Sequence, residues 1–230
     1  MSCFPNREHS WWRLAWVLLA VATAVAQNRV PNYRTPPDPL LPKVEAAAAR
    51  INSGEREAGI AELRAILEKN PTQRQALEVL AQVYLQDGRR GPAAELLKRC
   101  VRKHSDSSRC RTLQGKLMLE EDNVEEAEQV LEKAVEANNA DAEAHLYLGL
   151  ARIRRNKLER AEVDLNHALA YRKPGTLTSV FLHLAGIYDK LRRPFQAAQQ
   201  LEWFLRENPE APNAEQVRAR IAQLRGAESP

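Results

Sequence analysis

Small residues return every 34 positions along this chain, and that period constrains its fold more than any other feature. Ala47, Ala81, Gly115 and Gly149 form one series, and Gly59, Ala93, Ala127 and Ala161 form a second. Ile66, Cys100, Ala134 and Ala168 keep the same step, as do Leu63, Leu97, Leu131 and Leu165. These four series share one register. Ala185, Ala197, Leu201 and Phe204 extend them into a fifth unit after a two-residue insertion near Lys173-Pro174-Gly175. A period of this length makes each unit a single supersecondary element whose apolar face only its neighbours can cover.

Within a unit the spacing is helical. Ala127, Leu131, Ala134 and Val135 stand at i, i+4, i+7 and i+8, one stripe of a helix. Turn formers separate the two helices of the first four units at Ser53-Gly54, Asp87-Gly88, Asp122-Asn123 and Asn156. Aromatics are only 6% of the chain, so Leu, Ala, Val and Ile must build the core, and that mixture favours helices over sheets. Small residues at the crossing points let paired helices approach closely. Residues 211–225 form one further amphipathic helix with Val217, Ile221 and Leu224 on its apolar face, placed to cap the fifth unit.

The pattern resembles the tetratricopeptide repeat from residue 43 to about 211. It includes the leucine–small pairs Leu80-Ala81, Leu148-Gly149 and Leu184-Ala185, the tyrosines Tyr84 and Tyr188, and the unit ends Asn70-Pro71 and Asn208-Pro209. Departures are local. Gln114 replaces the leucine before Gly115, Arg152 takes the tyrosine place of the fourth unit, and Ser105 and Asn139 stand where proline often closes a unit. The resemblance implies an all-α, right-handed superhelical solenoid of about five helix–turn–helix repeats with a capping helix in 212–230. It also implies a concave groove, lined by first helices, that binds a peptide or helix of a protein partner.

Register assigns groove places to Gln82 and Leu85 in the second unit, and to Thr112 and Lys116 in the third. The fourth unit offers Leu146, Leu150 and Ile153, an apolar stripe flanked by Arg154. Two readings of that stripe stand: a docking surface for an apolar side chain or amphipathic helix, or intramolecular packing. The clamp by which some family members grip a C-terminal carboxylate is not expected, because Glu78, Val79, Gln82, Arg109 and Leu113 occupy its places. Arg89, Arg90, Arg154, Arg155, Arg192 and Arg193 fall on inter-helix turns and form a basic ridge along one edge. Such a ridge suits anionic lipid headgroups or a wall polymer; ordinary solvated turns are the other reading.

The start of the chain carries separate signals. Residues 1–26 combine a basic start, the apolar run Leu14 to Ala26 and a closing Ala24-Val25-Ala26, the arrangement of a cleaved secretory signal. An uncleaved anchor is the alternative. The reading is export to a periplasmic or extracellular space of a bacterial-type envelope, with no transmembrane span after cleavage. Residues 27–42 form a spacer expected to be extended, since 31–42 alone hold five of the 13 prolines. Removing 1–26 leaves 32 Lys and Arg against 29 Asp and Glu, a net of about +3, and leaves Cys100 and Cys110 as the only thiols. In an oxidising compartment that pair is a disulfide candidate; two buried thiols are the alternative. No phosphate loop, nucleophile elbow or HExxH zinc motif occurs. The chain therefore reads as a non-enzymatic adaptor with no metal or cofactor. No nucleic-acid partner is expected, since the chain reads as exported and no aromatics interleave with the arginines.

Overall fold

The computed structural model describes residues 38–226. The signal at 1–26, most of the spacer and the last four residues of the tail lie outside the described residues. The chain divides into two units, Met1–Leu41 and Pro42–Pro230, and the second holds the repeats.

Every regular element among the described residues is a helix. In chain order they are α1 (Leu41–Asn52), α2 (Arg56–Lys69), α3 (Arg74–Gln86), α4 (Arg90–Lys103), α5 (Ser108–Glu120) and α6 (Val124–Ala137). After these come α7 (Ala142–Arg154), α8 (Leu158–Tyr171), α9 (Ser179–Lys190), α10 (Pro194–Glu207) and α11 (Ala214–Gly226). The first ten pair into five helical hairpins, as the period predicts. Helix α1 starts at Leu41, so the last two residues of the expected spacer are already helical. Pro42 is tolerated there because a first-turn N–H has no partner within the helix.

Backbone chemistry repeats as faithfully as the sequence does. Each first helix ends in a residue of the left-handed region: Gly54, Gly88, Asp122, Asn156 and Arg192, with φ of 99°, 69°, 62°, 57° and 54°. The following amide then donates back over the last turn, from Glu55 to Arg50 O at 3.0 Å and from Arg89, Asn123, Lys157 and Arg193 to Tyr84, Met118, Arg152 and Tyr188 O at 2.8 Å. That six-to-one bond satisfies a terminal carbonyl and reverses the chain. Side chains cap helix starts where the sequence allows. Ser107 accepts from the amide of Cys110 at 3.1 Å, and Asp141 accepts from those of Glu143 and Ala144 at 3.1 Å each.

Close approach explains the small-residue series. A Cβ at Gly115 would lie 2.6 Å from Leu131 Cδ2, and one at Gly149 would lie 2.8 Å from Leu165 Cγ. Ala93, Ala127, Ala161, Leu131 and Leu165 have no exposed surface. Successive first helices (α3, α5, α7, α9) touch one another, whereas no two successive second helices touch among the described residues. The stack therefore bends with its first helices on the inside. Helix α11 packs on α10 through Val217 and Leu224, both buried, with Ile221 at the margin.

Within the fifth unit Phe181, Tyr188 and Phe204 are buried, but Phe195 is 61% exposed and Trp203 is 40% exposed. Phe195 follows Pro194 in the first turn of α10.

Candidate functional site

The inner face is assembled from one side of α3, α5, α7 and α9, and three of its predicted contact residues are taken up by the fold. Leu85 and Leu146 are 5% and 6% exposed, and Thr112 has no exposed surface. Leu146 joins the core of the fourth and fifth units, where Val180, Phe181 and Leu184 also lie. The Thr112 hydroxyl donates to Ser108 O at 3.0 Å and lies 3.3 Å from Asp141 Oδ2. These three side chains are structural because each first helix leans on the next. Leu150 and Ile153 are half-buried, with one side against that core and the other at the surface. Arg154 reaches across to Leu119 O and lies 3.8 Å from Asp122.

A polar ladder crosses three units at this face. Arg109 donates to Gln82 Oε1 at 2.8 Å and to the carboxylate of Glu143, linking α3, α5 and α7. Beside it, Lys116 Nζ stands 5.9 Å from the centre of the Tyr147 ring. Burial, reinforced by the charge of Glu143, raises the Tyr147 hydroxyl to about 12, so it stays protonated and available as a donor. The surface is thus mixed: Gln82, Arg109, Lys116 and Glu143 lie on the side of α3 and α5, and Tyr147, Leu150, Ile153 and Leu182 lie towards α9. Tyr147 and Glu143 were not among the residues assigned from sequence. Tyr147 stands beside Leu146 at the place that Leu113 holds in the preceding unit, and the period shows that register.

The basic ridge is largely matched by acids. Arg90 lies 3.7 Å from Glu120, Arg155 lies 3.0 Å from Glu125 and 2.8 Å from Glu128, and Arg193 lies 3.4 Å from Glu162. Arg89 stacks over the Tyr84 ring at 4.3 Å. Apart from the bond to the buried Glu128, these are largely exposed pairs that add little stability but reduce the local positive field. Arg192 holds the left-handed turn position of the fifth unit.

Arg152, the departure from tyrosine in the fourth unit, centres a buried ionic cluster. It donates to Asp164 at 2.7 Å, Glu132 at 2.8 Å and Glu128 at 3.2 Å. Glu128 is 2% exposed and also takes Arg155 and Lys157 at 2.8 Å. Burial opposes its charge, yet hydrogen bonds from Lys157, Arg152 and Arg155 hold the carboxyl below its ordinary range. His145, 3% exposed, donates from Nε2 to Asn139 O at 2.9 Å, and its Nδ1 lies 3.9 Å from Asp164. Burial lowers its proton affinity, but the neighbouring Asp164 carboxylate, the Asn139 carbonyl and the charge of Asp141 raise it on balance.

Cys100 and Cys110 are joined as a disulfide between α4 and α5, with Cα atoms 6.0 Å apart. The bridge ties the second unit to the third. Both residues are fully buried.

Comparison with known proteins agrees with this architecture. A family model described as tetratricopeptide repeat matches residues 112–175, and one described as anaphase-promoting complex, cyclosome, subunit 3 matches residues 60–134. The chain belongs to the tetratricopeptide-repeat family. Among solved structures this tetratricopeptide-repeat protein is similar to pilF of Pseudomonas aeruginosa, with TM-score 0.69 and 22% identity over 79% of this chain and 82% of that one. It is similar to TTC0263, a thermophilic TPR protein of Thermus thermophilus, with TM-score 0.62 and 22% identity over 80% and 97% of the two chains. A third similar structure is YrrB, described as a TPR protein with an unusual peptide-binding site, with TM-score 0.57 and 18% identity over 87% and 98%. At these identities the likeness is one of fold. No curated protein matches the chain. Tetratricopeptide-repeat proteins are in general scaffolds for protein interaction, and no helix among the described residues is long and apolar enough to cross a membrane.

Proposed function

We propose that this protein is an exported, non-catalytic adaptor of a bacterial-type envelope that holds a peptide or helix of a protein partner on the face of α3, α5, α7 and α9. One observation carries the reading: Leu150, Ile153 and Leu182 stay half-buried on the first helices α7 and α9, Tyr147 packs with Leu150, and the ladder of Gln82, Arg109 and Glu143 joins α3, α5 and α7. Apolar side chains of this kind supply desolvation energy, while the polar row sets orientation and register. The existence of a peptide-binding site in YrrB supports the same use of the fold. Export rests on the signal read in residues 1–26. Anionic surfaces are the weaker reading, because the ridge arginines are matched by carboxylates.

The test compares residues 27–230 with a Leu150→Glu, Leu182→Glu variant as baits on an envelope extract, after circular dichroism has shown both to be equally helical. A protein retained by the first, lost by the second and able to bind again when purified supports groove recognition. Equal capture by both, with release at moderate salt, overturns it in favour of charge-driven binding. Fractionation of cells expressing the full chain tests export: a product shortened by about 26 residues outside the cytoplasm is expected.

A further inference from the structure

Three potential ligand groups, one carboxylate and two cysteine sulfurs, meet at the junction of the second and third units. Glu78 comes from α3, Cys100 from α4 and Cys110 from α5, and their ligand atoms all lie within 4.8 Å of one another. Glu78 Oε1 is 3.5 Å from Cys110 Sγ. A tetrahedral zinc-class ion, with bonds of about 2.3 Å to sulfur and about 2.0 Å to oxygen, sets its sulfur and oxygen ligands about 3.5 Å apart. The carboxylate is already held in place. Ser107 Oγ donates to Glu78 Oε1 at 2.8 Å, and Arg74 Nε lies 4.0 Å away. The Glu78 side chain keeps 18% of its surface, so the cluster opens to solvent on that side alone.

We propose that Cys100, Cys110 and Glu78 form a redox-gated site for a thiophilic divalent cation, closed while the bridge is intact and open once it is reduced. In the bridged state the sulfurs bond to each other and are not thiolate ligands. A dithiol reductant transfers two electrons and two protons to the disulfide, leaves as its own disulfide and yields two thiols. The cation then displaces both thiol protons, giving two thiolates and one carboxylate around the ion with a fourth position open. Backbones 6.0 Å apart allow both states, since the sulfurs separate by side-chain rotation. This proposal is independent of the partner groove.

The probe is cobalt(II), followed by competition with zinc(II), on the full chain carrying Cys3→Ser so that no third thiol contributes. After reduction and anaerobic removal of the reductant, one equivalent of cobalt is expected to give a thiolate charge-transfer band that zinc abolishes. The oxidised protein is expected to give none. Glu78→Gln should weaken cobalt binding by about 10-fold or more, on the scale of perturbed metal sites, and Cys110→Ser should remove the band. Circular dichroism accompanies each titration. If reduction lowers helicity and zinc restores it, the proposal is supported, because metal affinity is then coupled to folding. No band on reduced protein, or a band of equal affinity in Glu78→Gln, overturns it.

Discussion

Arg192 is the costliest of the five left-handed turn residues. Two of the corresponding positions hold glycine, and Asp122 and Asn156 belong to types that tolerate the conformation. A long side chain there costs about 1 kcal/mol, so Arg192→Gly is expected to stabilise by roughly 0.5–1 kcal/mol, read as a higher urea midpoint at unchanged slope. Arg152 makes the opposite case. Its removal leaves Glu128 and Asp164 buried with fewer cations, and Arg152→Ala is expected to cost about 3–5 kcal/mol. The same cluster gives stability a dependence on pH. Glu128 is held below its ordinary range, so its contribution is present above the unfolded carboxylate value and lost as pH falls through the folded one. His145 is raised, so its contribution is complete below the unfolded imidazole value and lost as pH rises through the folded one. Denaturant midpoints followed across pH should show a shallower acid limb in Glu128→Gln and a shallower alkaline limb in His145→Gln. Unchanged limbs would detach both groups from the linkage.

Helix crossings carry the next scale. Ala127 and Ala161 hold corresponding places in α6 and α8 and have no exposed surface. Ala127→Leu or Ala161→Leu forces extra volume between paired helices and is expected to destabilise by roughly 1–3 kcal/mol by calorimetry or denaturation. Tolerance of both without loss would contradict the register. Much of this level was legible in the sequence, since the 34-residue step placed the first four hairpins and their turns, and the fifth follows after a two-residue insertion. Periodicity did not separate inward-facing apolar residues from those pressed between first helices. Leu146 and Leu150 belong to one stripe in the sequence, yet only Leu150 keeps surface. Phe195 is the converse case, an aromatic side chain in the fifth unit that stays exposed while Phe181, Tyr188 and Phe204 are buried.

At the scale of the molecule, stability depends on sealing the last unit. Helix α11 covers α10 with Val217 and Leu224, and deleting residues 212–230 exposes that seam. A loss of roughly 2–4 kcal/mol is expected, which for a chain of this size lowers Tm by about 5–15 °C. An unchanged Tm in the truncated chain would show that the helix seals nothing. Sequence alone determined the repeat, the helix–turn–helix units and the cap, because each depends on residue type at a fixed spacing. Tertiary structure decided which charges meet. The pairing of Arg109 with Gln82 and Glu143, and of Arg152 with Glu128, Glu132 and Asp164, joins residues up to 34 apart. Contacts of that kind depend on how neighbouring hairpins stack, and helical periodicity describes only one helix at a time.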